Sequence, residues 1–168
     1  PGVELNILVN GYDDGKSTGE IRKYIPGILG PSDFRKNISY LINKKNFNGK
    51  IFHNIFNYRF LKNITRKDFK SFLKLDVNNK IVKNLKISDL SYQKFLAIKN
   101  YLNIFHSYYC KRPLLNLSDI SLGNILIASA FLKNKKNFNK SLHDIQDFLD
   151  IKNKVLNITK GENLFLNA

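Results

Sequence analysis

Glu4-Leu5-Asn6-Ile7-Leu8-Val9-Asn10-Gly11-Tyr12-Asp13-Asp14-Gly15-Lys16-Ser17-Thr18-Gly19 is the stretch on which the reading of this chain turns. Its first half is an apolar run of strand length, and its second half is a loop of glycines, hydroxyls and two adjacent acids. Gly11, Gly15 and Gly19 permit positive φ and close backbone approach, so successive N–H groups can converge on a phosphate, with Ser17 and Thr18 adding hydroxyl donors. A helix beginning near Thr18 and running through Glu20-Ile21-Arg22-Lys23 would add the favourable end of its dipole. Such a loop is built to hold an anion, a metal or both.

Asp13 and Asp14 complicate an anion site. A carboxylate about 5 Å from a phosphate charge costs roughly 3 kcal/mol at an effective dielectric of about 20. Magnesium shared between carboxylate and phosphates removes that cost, and the acids can instead face hydroxyls or ring N–H groups of a second ligand. Asn10-x-x-x-x-Gly15-Lys16-Ser17 falls one residue short of the phosphate-loop pattern, because the first glycine is displaced to Gly11. The acids also sit where the amides of such a loop must face a phosphate. A third reading is an ordinary strand-to-helix turn with solvated acids.

Composition bounds the class. The 168 residues, 43% hydrophobic and 24% charged, suit one globular domain over 1–168. No apolar stretch approaches the roughly 18 residues of a membrane span, and no signal-peptide pattern opens the chain. A single cysteine, Cys110, rules out an internal disulfide framework and makes a reducing, cytoplasmic setting the expectation. The lack of methionine and the start at Pro1-Gly2 are expected of a fragment or a processed product. The net charge of +15 invites a nucleic-acid reading. Against it, 23 of the 28 basic residues are Lys and 5 are Arg, dispersed among Asn and Ile rather than gathered in a stripe. Shared AT-rich codons account for that mixture.

Further along, Pro31-Ser32-Asp33-Phe34-Arg35-Lys36-Asn37 reads as a second loop entering a helix. Ser32 or Asp33 can be its cap, while Arg35 near a helix N-terminus is unfavourable unless an anion lies between them. Phe52, Ile55, Phe56 and Phe60 predict a helix over 51–60, with Arg59 at its surface or on a ligand. The looser 70–90 segment, with Asp76-Val77-Asn78-Asn79-Lys80 as a turn, suggests a short hairpin or a variable insertion. Tyr92 to Tyr109 is a helix ending before Pro113, where Tyr108 and Tyr109 close the helix or stack a base. Ser118, Asp119 or Ser121 caps the apolar helix 122–132, in which Gly123 implies a packing or ligand reason. A helix over 137–149 and a late strand over 154–159 complete the pattern. His53, His106 and His143 lack metal-motif spacing, and Cys110 has no obvious base partner and packs at a helix end.

Four segments in order, DDGKSTGEIR (13–22), PSDFRKNISYLI (31–42), FNYRF (56–60) and SLGNILIASAFL (121–132), resemble the CofD-like family. The tail, Phe138 to Ala168 with VLNITKGENLFLNA, is similar to the same family's segment after its glycine-asparagine helix. That family contains 2-phospho-L-lactate transferases and YvcK-type UDP-sugar-binding proteins. Three positions depart from its pattern: Lys16 and Ser32 stand where glycine is common, and Ile120 where histidine is. The resemblance places the family's first strand and glycine-threonine-glycine nucleotide loop before Pro1.

The resemblance implies a three-layer, helix-rich Rossmann-like α/β sandwich with a mainly parallel sheet. It implies transfer of a phospholactyl-type group from a guanylyl diphosphate donor to a deazaflavin alcohol, with Mg²⁺ and release of GMP. The alternative it carries is a non-catalytic UDP-sugar-binding regulator of carbon metabolism and cell-envelope growth. Asp14, Asp33 and Arg35 are the implied catalytic residues, and Asp13 and Asp14 the implied metal ligands. Ligand contacts are expected from Asp13, Gly15, Lys16, Ser17, Thr18, Gly19, Arg22, Asn37, Arg59, Gly123 and Asn124. The partner is then a nucleotide diphosphate or nucleotide sugar, without a membrane or nucleic acid; a homo-oligomer is compatible.

Overall fold

The computed structural model describes residues 5–13 and 15–161. Strand β1 (Asn6–Val9) leads into helices α1 (Lys16–Tyr24), α2 (Pro31–Leu41), α3 (Phe47–Asn57), α4 (Arg66–Leu73) and α5 (Lys80–Asn84). After a short 3₁₀ turn (Ile87–Asp89) come α6 (Tyr92–Lys111), α7 (Leu122–Lys133), α8 (Phe138–Phe148) and strand β2 (Lys154–Asn157).

Helix α7 organises the core. Every residue from Leu122 to Phe131 is buried, as expected for a helix that is apolar on all sides. α6 and α8 pack along it, and α1, α2 and α3 pack on its remaining faces. Phe138 at the start of α8 joins these layers, since its ring meets Phe34 of α2 at 5.0 Å and Phe131 of α7 at 6.2 Å, both edge-on.

The two strands pair in parallel, Asn6 opposite Lys154 through Val9 opposite Asn157. This agrees with an α/β class, in a helix-rich form with a small parallel sheet. The helices enclose the bulk of the core, and the sheet lies against α2 and α8. A two-stranded sheet is marginal alone. Here α8 supplies the missing neighbour: Gln146, 3% exposed, accepts from Val155 N at 2.6 Å and donates to Val155 O at 3.1 Å. Its carboxamide thus occupies the place of a strand peptide.

Three boundaries differ from the sequence reading. α1 begins at Lys16 rather than Thr18, because Thr18 N and Gly19 N both donate to Gly15 O. α3 ends at Asn57, so Arg59 leaves the helix and enters an antiparallel bridge with Ser121. The 70–90 segment is helical rather than a hairpin. Thr65 and Asn79 cap α4 and α5, and Phe69, Phe72, Leu73, Val82 and Ile87 deliver its apolar side chains to the core.

At the end of α6, Tyr109 is fully buried against Phe69, and Tyr108 packs on Tyr24 beneath Arg112, so both close the helix. Cys110 is exposed rather than packed, with Sγ 3.4 Å from His106 Nε2. No helix among the described residues is long and apolar enough to cross a membrane.

Replacing Gln146 with Leu would leave the Val155 N–H and C=O buried without their partner. A loss of about 3 kcal/mol is expected in equilibrium urea unfolding, from two orphaned backbone groups. A loss under about 0.5 kcal/mol, typical of a neutral surface change, would mean that Gln146 does not hold the strand.

Candidate functional site

β1 empties into the loop 10–15, and the turn between α1 and α2 folds back against it. Gly30 N donates to Gly11 O at 2.7 Å. A Cβ on Gly30 would lie 2.6 Å from Asp13 O and 2.8 Å from Thr18 Cγ2, so only glycine allows this approach. The loop glycines serve the same end without positive φ: Gly15 has φ −62°, and a Cβ on Gly11 would meet Phe34 at 2.9 Å. From below, buried Arg22 donates to Tyr12 O at 3.3 Å. This guanidinium therefore supports the loop backbone.

Three helix starts meet beside the loop. The Thr18 hydroxyl near the start of α1 is hydrogen-bonded to the Ser32 hydroxyl of α2, and Asn124 Nδ2 of α7 donates to Ser32 Oγ at 3.0 Å. All three side chains are buried, and Asn124 Oδ1 has no partner among the described residues. The α7 start is capped, Asn124 N donating to Ser121 Oγ at 3.1 Å. α1 and α2 follow Gly15 and Gly30 and carry no side-chain cap. The first N–H groups of α1 are thus left for another acceptor, whereas α2 opens on Pro31, which has no N–H, and the Gly30 N–H is taken by Gly11 O.

Arg35 lies across this junction, 5% exposed. Nη1 donates to Asn57 Oδ1 at 3.1 Å and to Phe56 O at 3.4 Å, while Nε is buried with no partner among the described residues. Gly123 makes room for it, since a Cβ there would stand 2.7 Å from Arg35 Cγ and 2.8 Å from Phe56 O. Burial, and next the charge of Arg59, lower the pKa of Arg35, with Asp33 and Tyr40 opposing.

Arg59 is partly exposed and held by Asp119, whose carbonyl accepts at 2.8 Å and whose Oδ2 lies at 3.1 Å. Asp119 presents both groups from a left-handed backbone, φ +63°, a conformation Asp tolerates better than most residues. A cavity of about 550 Å³ opens there, lined by Ser17, Glu20, Arg59, Lys62 and Asp119 among others.

The remaining expected residues fall around this centre. Asp33 is half-buried and paired with Lys36 at 2.9 Å, and Asn37 donates to Asp33 O at 2.9 Å. Ser17 and Gly19 are buried in the first turn of α1, which Lys16 opens. Asp13 is exposed, with Oδ1 accepting from Gly15 N at 3.0 Å. Asp14 lies outside the described residues. Ser32, Asn57 and Asp119 escaped the sequence-based list of site residues. Ser32 and Asp119 looked like caps and Asn57 like a residue inside the expected helix over 51–60, and their roles depend on contacts across 14 to 92 positions.

Among the described residues, no three His, Cys, Asp or Glu side chains cluster around a common point. A magnesium ion would need fewer, since it keeps its waters and takes one or two carboxylates plus ligand phosphates. The exposed Asp13 carboxylate, whose Oδ1 accepts from Gly15 N, could supply one of them.

No curated protein and no solved structure matches the chain significantly. A family model, 2-phospho-L-lactate transferase CofD, matches residues 2–165. With the strand, the glycine-bearing loop and the three joined helix starts spanned by one continuous match, the chain belongs to the CofD family.

Proposed function

We propose that this domain holds a nucleotide diphosphate over the joined starts of α1, α2 and α7 and transfers a phosphorus-containing group from it to an acceptor hydroxyl. The reading extends the 2-phospho-L-lactate transferase type of the family. One observation carries it: Arg35, a buried guanidinium with Nε unpartnered, lies within the field of Arg59 beside two uncapped helix N-termini. Like charges and helix dipoles of one sign repel in isolation, and a bound diphosphate would relieve that repulsion.

In this reading the acceptor oxygen forms a bond to the donor phosphorus as the bond to the nucleotide breaks, and a nucleoside monophosphate leaves. Arg35 and Lys16 would stabilise charge on the leaving group. Asp33, with one oxygen on Lys36, would accept the hydroxyl proton. Asp13 and Asp14 would hold Mg²⁺, which when bound offsets the charge of the diphosphate. Gly15, Ser17 and Gly19 would bring the backbone near it, while Thr18, Gly123 and Asn124 keep the helix starts in place. The two parallel strands would belong to a three-layer Rossmann-like sandwich, and the setting would be cytoplasmic.

Thermal-shift titration separates the branches of the family. GDP is expected to raise the melting temperature, more so with Mg²⁺, and a deazaflavin acceptor with a phospholactyl guanylyl diphosphate should release GMP. Stabilisation by UDP-N-acetylglucosamine alone, with no turnover, would replace the transferase reading by a nucleotide-sugar sensor. No response to any nucleotide would overturn both.

Replacing Arg35 with Met should weaken GDP at least about tenfold, the loss expected for one charge-assisted hydrogen bond. Asp14→Asn should abolish only the Mg²⁺-dependent part of binding, and an unchanged Mg²⁺ increment would remove that residue from the metal. In Gly123→Ala the added methyl must displace Arg35 or Phe56 O. A destabilisation of about 1–3 kcal/mol is expected in urea unfolding, together with weaker GDP binding, and wild-type values for both would show that the contact yields.

A further inference from the structure

Positive charge is unevenly shared along this chain. Residues 34–118 hold 18 of the 28 Lys and Arg but 3 of the 13 Asp and Glu, a net charge of +15, and the remainder sums to zero. Codon composition raises Lys throughout a gene; it does not clear the acids from half of one. Within that half the fold gathers cations that the sequence disperses.

α4 packs on α6 through Phe69, whose ring meets Tyr109 at 5.1 Å and Phe105 at 6.4 Å, both edge-on. Arg66, Lys70 and Lys74, four positions apart, stand in one exposed row along α4 and its C-cap. The acid of α4, Asp68, lies on the opposite flank, where it lines the cavity toward α5 with Ser71. α6 carries no Asp or Glu in its 20 residues. Beside the row it presents Asn103, His106 and Cys110, with Cys110 Sγ 3.4 Å from His106 Nε2. Burial, then Lys74 and Lys70, lower the pKa of His106, and Arg66 opposes the rise that burial gives Tyr109. The row therefore faces α6 along its length. The ion pairs among the described residues involve none of its three cations.

We propose that this α4–α6 face docks on double-stranded nucleic acid, holding the phosphate backbone without reading bases. Dispersal of Lys along the sequence argues against such a partner; an acid-free row one helical turn apart, about 6 Å, reverses that, because a duplex is a uniformly negative rod. Asn103 adds a polar side chain of the kind that backbone contacts also use. The duplex form follows from where the aromatic rings go: Phe69, Phe72, Phe105 and Tyr109 are fully buried, leaving no platform on which unpaired bases could stack. An anionic bilayer would want large apolar side chains among the cations. α4 exposes none, and the exposed Tyr92 and Leu96 lie near the far end of α6 from His106. The junction of α1, α2 and α7 contributes no residue to this face, so its occupant is independent of the nucleotide proposed there.

Fluorescence anisotropy of a labelled DNA duplex of about 20 bp, titrated with the full chain between about 50 and 200 mM salt, tests the face. A slope of log K against log salt of about −3 is expected from three neutralised phosphates, alike for duplexes of unrelated sequence. K70A/K74A should reduce the magnitude of that slope by about 2 and weaken every duplex equally. K152A/K160A removes the same charge from exposed residues outside α4 and α6 and should leave the slope unchanged. Because Lys70 and Lys74 are exposed, an unchanged melting temperature would verify the fold of the variant. Cys110, the only cysteine, gives a reading in the unaltered chain: bound duplex should slow its alkylation by N-ethylmaleimide several-fold.

No binding at the lowest salt, a slope unaltered in K70A/K74A, or Cys110 alkylated as fast in the complex as in the free chain would each overturn the proposal. Tighter binding of oligo-dT than of the duplex would overturn the duplex form. Binding to phosphatidylglycerol vesicles without binding to duplex would overturn it in favour of a membrane surface.

Discussion

A short chain of hydrogen bonds, Thr18 to Ser32 to Asn124, sets the geometry on which the rest of the molecule depends. It joins the first turns of three helices that are 14 and 92 positions apart in sequence. Inside a protein, buried hydrogen bonds between side chains of different elements restrict how those elements can be arranged, and here Asn124 Oδ1 is left without a partner among the described residues. Two close approaches make the network possible: Gly30 against the Asp13 carbonyl, and Gly123 against Arg35. Larger residues at either place would separate the helix starts before any ligand arrived.

The same junction gathers positive potential. Helix α1 directs uncapped N–H groups toward it, α2 starts there without a side-chain cap, and Arg35 is held in place by Asn57 and Phe56 with one N–H unused. Arg59 is secured to Asp119 instead. The opposing acids are separated from one another: Asp33 is engaged by Lys36, Asp119 by Arg59, and the Asp13 carboxylate by Gly15 N. Each local pairing is modest at a surface. The Asp119 pair offsets part of the charge of Arg59, so Arg35 and the helix starts carry most of the positive potential of the junction.

Much of this architecture could be read from the residues. The apolar run 6–9, the Pro31 start of α2, the all-apolar α7 and the late strand are local patterns, and local patterns reveal elements. Two misreadings have different causes. The aromatic spacing over 51–60 continued past Asn57, yet Phe60 N is taken by Ile120 O and Leu122 N donates to Tyr58 O, so distant backbone claimed that segment for a bridge. The 70–90 segment looked like turns because its helices are short and depend on side-chain caps. In the loop, glycine was read as allowing both positive φ and close backbone approach, and it is the close approach that Gly11 shows, against Phe34 and Leu29. The site was legible as residue types near Asp13, Arg35 and Gly123. Which of those side chains face a ligand and which face one another depends on contacts that no window of sequence contains.

Gln146 extends this dependence to the strands. Because its carboxamide grips both polar groups of Val155, sliding β2 by one position would present Lys154 or Leu156 to the clamp and reverse which side chains turn inward. Helix α8 therefore acts as a ruler for the sheet: it fixes how far β2 runs beside β1, and hence the level at which the two strands release their chain ends. The height of the Asp13 loop above the core is then controlled in part from a helix that lies outside the joined starts of α1, α2 and α7. Mutations on α8 that look remote would be felt as a misaligned loop, not as a hole in the core.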